Sequence, residues 1–259
     1  MLPFHAALLL PSSVTEQEND PRIRTFKVGL LGRAAALFGV REIVIYGEAR
    51  FNDARFIETI LRYQECPPYL RKRLFALAPE LAHVGVLPPL NTPAHLVPRH
   101  AKVGEVREAV VDRGLVQMGT SKPGKALRPL PEGQRLSVRV VGELAREYVV
   151  VQHDDPAHVP GFAVRRTETL AGALQGFDTR IATSKAGEPA SKAPVHKLRG
   201  KVALAFGPPA LSLEEVVAAE KAEVRWDFVL NAVPGQGTET VRTEEAVYAS
   251  LAALAARVA

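Results

Sequence analysis

Short apolar runs alternate with stretches of helical spacing in the first part of the chain. Runs of consecutive apolar residues predict buried strands, and apolar positions three or four residues apart predict amphipathic helices. The predicted elements are a strand at 5–10, a helix at 20–38, a strand at 42–46, a helix at 53–66 and a short helix at 69–76. Asp20 and Pro21 suit the start of the first helix, and Gly39 suits its end. Strands that alternate with helices predict a parallel sheet covered by helices.

The pattern changes between about 93 and 166, where helical spacing is absent. Five short β-rich runs follow one another there, separated by Gly, Pro or Asp clusters, at 105–111, 115–118, 135–141, 148–152 and 162–165. Five short strands in so little chain predict a small β-barrel of the OB type. This insert is also the more basic part of the chain, with 12 Lys and Arg against 9 Asp and Glu over residues 94–168.

Two basic segments are candidates for contact with a nucleic acid. The loop at 121–128 combines glycine with Lys122, Lys125 and Arg128, and the short helix at 69–76 carries Arg71 and Lys72. Lys and Arg side chains in such loops contact phosphate groups. A flexible, solvated hairpin is the alternative interpretation of the loop.

The α/β pattern returns after residue 166. Apolar runs predict strands at 179–183, 202–206 and 226–230, and a long polar loop is expected at 184–199. Ser212 and Glu215 form the signature of a capping box that opens a helix, and a terminal helix is expected at 246–258. The predicted organisation is therefore one α/β domain in two parts, 1–92 and 167–259, interrupted by the barrel at 93–166.

Composition narrows the class of protein. Of 259 residues, 47% are hydrophobic and 24% are charged, as in ordinary globular proteins, and the net charge of +5 favours a polyanionic partner only weakly. The single cysteine, Cys66, excludes an internal disulfide and a cysteine-based zinc site, and suits the cytoplasm. No apolar run is long enough to cross a membrane, so we expect no membrane partner. His153, Asp154 and Asp155 fit a polar turn better than a metal site, and we expect no bound metal.

Three polar loops follow the last three predicted strands. They begin at Thr183, at Phe206 and at Asn231, and the second and third contain glycine. In an open parallel sheet such loops meet at one edge, where ligands bind. Neither a dinucleotide-binding glycine pattern nor a Walker lysine is present, which favours a nucleoside ligand without a polyphosphate. Three ordinary turns at a sheet edge are the alternative.

Longer motifs carry a family resemblance. The segments 28–40, 204–214 and 231–246 resemble the three motifs of the SPOUT (trefoil-knot) RNA methyltransferases. The segments 61–72 and 85–95 are similar to the archaeal and eukaryotic members that carry a β-barrel insert. The eukaryotic members of that branch act as RNA uridine-N3 methyltransferases. The resemblance covers almost the whole chain, and the insert is its most divergent part.

The resemblance implies a fold, a cofactor and an assembly. The fold would be a SPOUT-type α/β trefoil knot with a parallel sheet and an inserted OB-like barrel. The chain would bind S-adenosyl-L-methionine and form a homodimer whose active sites lie near the subunit interface. Residues carried over as cofactor contacts are Thr183, Ser184, Phe206, Gly207, Asn231, Pro234, Gly235, Gly237, Thr238 and Thr243.

Arg33 and Arg242 are the candidate catalytic residues. Arg33 matches the arginine of the first family motif, and its side chain could stabilise a uridine anion or bind a phosphate. The chain departs from the common pattern at Pro209 and over 240–243, which leaves the proton acceptor open. Glu239, Glu244 and Glu245 are candidates for that role, although Glu244 and Glu245 also suit the first turn of the terminal helix.

The sequence thus predicts a methyltransferase that acts on RNA, with uridine N3 of ribosomal RNA as the expected target. Two alternatives stay open. The first is a non-catalytic RNA-binding or ribosome-assembly protein with the same fold. The second is an enzyme of this family that methylates transfer RNA or a ribose 2′-oxygen.

Overall fold

The computed structural model describes residue 2, residues 4–155, residue 158 and residues 161–258. Two sheets account for its strands, and helices are interspersed between the strands of the first. The elements in chain order are β1 (His5–Pro11), α1 (Pro21–Phe38), β2 (Glu42–Tyr46), α2 (Ala54–Glu65), α3 (Pro68–Leu74), β3 (Val106–Asp112), β4 (Leu115–Gln117), β5 (Gly124–Ala126), β6 (Arg135–Glu143), β7 (Tyr148–Gln152), β8 (Ala163–Thr167), α4 (Leu170–Ala173), β9 (Thr179–Pro189), β10 (Lys201–Ala205), α5 (Leu213–Ala219), β11 (Phe228–Asn231) and α6 (Thr243–Val258).

Six strands form the predicted parallel sheet. Their order is β11-β9-β10-β1-β2-β8, and every neighbouring pair is parallel. The central strand β1 is buried from Ala6 to Pro11, as expected for a parallel strand covered on both faces. The prediction of an α/β fold with a parallel sheet is confirmed. The threading of the chain into a trefoil knot stays a prediction from the resemblance.

The other five strands close into a barrel in the order β3-β4-β5-β7-β6, with β6 pairing back to β3. All of these pairs are antiparallel except β5 with β7. Apolar side chains of alternate strand positions fill the interior, among them Val116, Met118, Val138 and Tyr148. The prediction of a closed five-stranded barrel is confirmed.

The chain divides into two compact units. One consists of residues 1–62, 80–89 and 162–259, and holds the parallel sheet. The other consists of residues 63–79 and 90–161, and holds the barrel. The stretch 63–79, which includes α3, thus belongs to the same unit as the barrel.

Three local predictions were wrong. The run at 162–165 was expected in the barrel, but β8 pairs in parallel with β2 at the edge of the large sheet. The basic loop at 121–128 contains the short strand β5, which pairs with β4 and β7 and closes the barrel. The polar segment at 184–199 is not one loop, because β9 continues to Pro189 and two 3-10 turns follow it. The extension of β9 was not predicted because its side chains are polar, whereas the pairing of the strand depends on backbone groups.

Helix α1 begins and ends as predicted. The side chain of Asp20 accepts a hydrogen bond from the backbone N–H of Arg22, and Gly39 closes the helix with a φ of 69°. The buried face consists mainly of small residues together with Val28 and Leu31. Larger apolar residues of α1 remain exposed: Ile23, Phe26 and Leu37 have 49%, 44% and 58% of their surface accessible. The helix therefore has a second apolar face that the described chain leaves uncovered.

Candidate active site

A cavity of about 360 Å³ lies beside residues 183–185 of β9 and the carboxyl ends of β10 and β11. The three strands are neighbours in the sheet, so the loops that follow them meet at one edge. The apolar part of the wall includes Phe206, Leu211, Leu213 and Leu230. The polar part comes from the loop ends and from α1 and α6. The cavity can therefore contact both apolar and polar parts of a ligand.

Hydrogen bonds hold the three loops in place. The Asn231 side chain donates to the backbone carbonyl of Lys185 at 2.8 Å and accepts from the backbone N–H of Val233 at 3.0 Å. It therefore ties the β9 segment to the loop after β11. The Thr183 hydroxyl donates to the carbonyl of Ala205 at 2.9 Å, linking β9 to β10.

A buried tyrosine, Tyr46, holds the loop after β10 in place. Its hydroxyl donates to the carbonyl of Phe206 at 2.6 Å, and burial raises the pKa of this phenol well above its usual value. The hydroxyl is therefore a permanent donor at any ordinary pH, and it holds the backbone just before Gly207.

Gly207 permits a close backbone approach. A Cβ atom there would lie 3.0 Å from the carbonyl oxygen of Leu211, a cavity-lining residue. By contrast, a Cβ atom at Gly235 or Gly237 would meet nothing within 4 Å, although Gly235 has a φ of 70° that favours glycine. Of these three glycines, only Gly207 has a close-packing requirement.

The structure brings together part of the predicted site. Seven predicted residues line the cavity, namely Thr183, Ser184, Phe206, Gly207, Asn231, Arg242 and Thr243. Five others are outside its lining, namely Arg33, Pro234, Gly235, Gly237 and Thr238. Arg33 instead donates to the carbonyl of Pro89 at 3.1 Å. The third loop nevertheless reaches the cavity, because Gln236, Glu239 and Thr240 are among its lining residues.

The three glutamates that are candidates for the proton acceptor have different environments. The Glu245 carboxylate accepts from the backbone N–H of Arg242 at 2.9 Å, which caps the start of α6. Glu244 is buried, and its Oε2 lies 3.6 Å from the ammonium of Lys27. Glu239 lines the cavity and is exposed. Glu244 and Glu245 both lie in the first turn of α6, as expected, and Glu245 also caps the helix.

Sequence reasoning missed a charged cluster at the wall of the cavity. Lys27 lines the cavity although its surface is only 3% exposed, and Ser250 of α6 also lines it. The sequence contained one signal: Lys27 directly precedes the buried Val28 on a helix whose buried face is otherwise uncharged. Its partners Glu18 and Glu244 lie far apart in the chain and could not be paired with it from spacing.

The predicted RNA contacts lie in the barrel unit and have varied surroundings. Arg71 donates to the carbonyls of Cys66 and Gln64 and stacks on Tyr63, while Lys122 pairs with Glu143 at 2.6 Å. Lys72, Lys125 and Arg128 are exposed. The latter three are accordingly the better placed for a nucleic acid.

The cysteine and the described metal-ligating side chains do not form a further reactive or metal-binding site. Cys66 is buried, and burial raises the pKa of its thiol to about 11, so it is not an activated nucleophile. Within the described residues, no cluster of three or more His, Cys, Asp or Glu side chains could hold a metal ion. No helix in the described part of the chain is long and apolar enough to cross a membrane.

Comparison with known proteins identifies the class. The family model described as "Putative RNA methyltransferase" matches residues 5–254, and the chain belongs to this family. The predicted assignment to the SPOUT RNA methyltransferases is thereby confirmed, and the chain is a methyltransferase enzyme.

Individual relatives span nearly the whole chain. An uncharacterised protein of Halobacterium salinarum is 36% identical, over 96% of this chain and 98% of its own. The 28S rRNA (uridine-N(3))-methyltransferase of Homo sapiens is 31% identical, over 97% of this chain and 78% of its own. The mouse protein of the same name is 32% identical, over 97% and 76%. Among solved structures, the SpoU methyltransferase AviRb of Streptomyces viridochromogenes with AdoMet is 8% identical, with a TM-score of 0.40 over 100% of this chain and 60% of its own.

Proposed function

We propose that this protein transfers a methyl group from S-adenosyl-L-methionine to N3 of a uridine in ribosomal RNA. The observation that carries the proposal is the cavity of about 360 Å³ beside β9 and the ends of β10 and β11, in a chain of an RNA methyltransferase family. The uridine target rests on the human and mouse relatives, whose names specify that reaction on 28S rRNA.

The residues of the cavity fit this cofactor. Its volume lies within the range of roughly 300–1,000 Å³ usual for small-molecule sites. Leu211, Leu213 and Leu230 offer apolar surface for an adenine ring, and the close approach at Gly207 leaves backbone groups at the wall. Thr183 and Asn231 provide polar groups of the kind that hold a ribose. When bound, the cofactor supplies an electrophilic methyl group that needs no metal for its transfer.

The chain's own residues then have two tasks, to orient the reactants and to handle charge. Asn231 and Thr183 fix the positions of the loops through the hydrogen bonds described above. Arg242 lines the cavity and is the proposed contact to the RNA substrate. Pro234, Gly235, Gly237 and Thr238 remain proposed cofactor contacts, and they lie in the same loop as Gln236, which lines the cavity.

A homodimer accounts for the position of Arg33. Ile23, Phe26, Leu30 and Leu37 follow a three-four spacing along α1, and Arg33 falls in the same stripe. We propose that this stripe packs against a second copy and that Arg33 serves the partner's cavity. In a two-fold interface the same surface meets on both subunits, so each cavity receives one arginine.

Mixing two inactive variants tests this arrangement. Arg33→Ala should bind cofactor and lose methyl transfer, whereas Gly207→Val should lose the cofactor site and keep Arg33. After subunit exchange, a mixed dimer has one complete site, so the mixture should recover about one quarter of wild-type activity. The measurement is transfer of tritiated methyl to RNA. Full activity of Arg33→Ala alone, or no recovery in a mixture shown to contain mixed dimers, would contradict the arrangement.

The barrel is the proposed RNA-binding module and is of the OB type. Supporting this assignment are the closed strand order and the parallel pairing of the third and fifth barrel strands. Lys125 and Arg128 are exposed, and the Lys125 side chain retains 68% of its accessible surface. Such side chains supply the sequence-independent, salt-dependent part of RNA affinity.

Removal of these two cations should weaken RNA binding and its salt dependence together. For Lys125→Ala with Arg128→Ala, the slope of log affinity against log salt should become shallower by about one for each phosphate group that the variant no longer neutralises. Filter binding with a ribosomal RNA transcript at several salt concentrations measures this slope. Lys192→Ala with Lys197→Ala, two exposed lysines of the other unit, is the matched control and should leave the slope unchanged.

Calorimetric titration of S-adenosyl-L-methionine tests the proposed cofactor site directly. The wild-type chain should bind it at one site per subunit. RNA binding without any cofactor binding would instead favour an RNA-binding or ribosome-assembly protein.

We place the protein in the cytoplasm as part of this proposal, because its one cysteine is buried and unpaired.

A further inference from the structure

Lys27 is a buried cation at the wall of the proposed active site. Lysine is almost never fully buried unless it is paired, because removing an ammonium from water is costly. The Lys27 side chain is 4% exposed and comes from α1, whereas most of the cavity wall comes from β9 and from the loops after β10 and β11. Because burial of the Lys27 ammonium is costly, we ask whether this cation contacts a ligand in the cavity.

Two carboxylates flank the ammonium of Lys27. Its Nζ lies 3.5 Å from Glu18 Oε1 and 3.6 Å from Glu244 Oε2, and both carboxylates are largely buried. Glu18 Oε1 is also 3.4 Å from Arg242 Nη1. The cluster therefore contains two cations and two carboxylates. Lys27 thus places a cation at the cavity wall, where it is suited to stabilise negative charge on a ligand.

The ammonium retains capacity for a ligand. An ammonium has three N–H donors, and charge-assisted hydrogen bonds are usually about 2.7–2.9 Å long. The two carboxylates lie farther away than this, at 3.5 Å and 3.6 Å. Ser250 also lines the cavity, and its buried Oγ has no hydrogen-bond partner within the described residues. The cavity wall thus offers an ammonium and a hydroxyl to a ligand.

We propose that Lys27 is a catalytic residue that stabilises the anion of the target pyrimidine, an inference that rests on the proposed function. As the N3–H proton leaves to water, its electron pair stays on N3 and the negative charge spreads to the two ring carbonyl oxygens. That pair forms the new N–CH3 bond, while the S–CH3 bond breaks and its electrons remain on sulfur. A fixed cation beside a pyrimidine oxygen favours the anion before the methyl group is transferred. Glu18 and Glu244 act as positioning residues for Lys27.

The position of Lys27 favours the base over the cofactor as its ligand. Glu18 joins Lys27 to Arg242, which is the proposed contact to the RNA. Gln17 and Thr243, which directly precede the two carboxylate partners of Lys27 in the chain, also line the cavity. The residues that fit a nucleoside come instead from β9 and from the loops after β10 and β11. The base and the cofactor would therefore contact different segments of the chain within one cavity.

Lys27→Met tests the proposal through two readouts. We expect its affinity for S-adenosylhomocysteine, measured by calorimetry, to stay within about twofold of wild type, and its single-turnover rate of methyl transfer to a large-subunit ribosomal RNA transcript to fall by roughly 10²-fold. A transcript made with 5-fluorouridine should reduce this deficit by about tenfold, because fluorine makes N3–H more acidic. Lys27→Arg should retain most of the activity.

Two further variants separate chemistry from folding. Lys27→Met with Glu244→Gln removes one charge of each sign, so it avoids an uncompensated buried carboxylate and should show the same deficit. Lys192→Met, at an exposed lysine, should show none. An unchanged rate in Lys27→Met, a deficit explained by weaker S-adenosylhomocysteine binding, or no relief by 5-fluorouridine would overturn the inference. Absence of cofactor binding or transfer by the wild-type chain would instead overturn the proposed function, and this inference with it.

Discussion

Gly207→Val should abolish methyl transfer while leaving the chain folded. The new side chain would start 3.0 Å from the Leu211 carbonyl oxygen and would push on the Leu211–Leu213 segment that lines the cavity. Overpacking of this kind typically costs about 1–3 kcal/mol. If that cost falls on the bound form, cofactor affinity drops by roughly 10-fold to 100-fold, so at a cofactor concentration near the wild-type Kd the site is almost empty and methyl transfer falls to near background. Calorimetry with S-adenosyl-L-methionine and tritiated methyl transfer to RNA measure both consequences.

Gly85→Val is the matched control for this experiment. A Cβ atom at Gly85 meets nothing within 4 Å, and this glycine lies outside the lining of the cavity. The Gly85→Val variant should therefore bind the cofactor with the affinity of the wild-type chain. Normal cofactor binding by a folded Gly207→Val chain would show that the cofactor does not depend on the loop after β10.

Arg135→Leu should unfold the barrel unit at much lower denaturant concentration than wild type. Arg135 lies between two largely buried carboxylates: it pairs with Glu65 and also contacts Glu108, with its Nε 2.8 Å from Oε2. Removing one partner of a buried charge pair costs about 3–5 kcal/mol, because the remaining charges stay buried and uncompensated. Hydrogen exchange of barrel amides under increasing denaturant measures the loss within this unit.

Arg73→Leu gives the comparison with an exposed pair. Arg73 and Asp112 are 3.0 Å apart in the same unit, with 38% and 41% of their side-chain surfaces accessible. Exposed pairs of this kind contribute about 0–1 kcal/mol, since water and salt screen them. Equal losses in the two variants would contradict the view that burial of the Arg135 network determines its effect.

Much of the fold could be predicted from local patterns. Apolar runs located β1, β2, β7 and β10, and the caps of α1 were recognisable from Asp20 and Gly39. These features depend on near neighbours in the chain. The assignment of β8 to the large sheet could not be predicted in this way, because its pairing with β2 joins residues more than a hundred positions apart.

The site was predictable to the extent that it follows from strand order. Thr183, Gly207 and Asn231 line the cavity because the middle of β9 and the ends of β10 and β11 meet at one edge of the sheet. The charged cluster was not predictable, since Glu18, Lys27 and Glu244 meet only after α1 packs against α6. Gly235 and Gly237 lie outside the cavity lining, and their role as cofactor contacts stays a prediction from the family resemblance.

The most direct test of the account is the nucleoside that the purified chain produces. Large-subunit ribosomal RNA transcribed in vitro is incubated with the wild-type chain and methyl-labelled S-adenosyl-L-methionine, digested to nucleosides and analysed by mass spectrometry. The account predicts labelled N3-methyluridine, and its absence from reactions with Gly207→Val. Label in a 2′-O-methylated nucleoside, or no label in RNA despite cofactor binding, would contradict it.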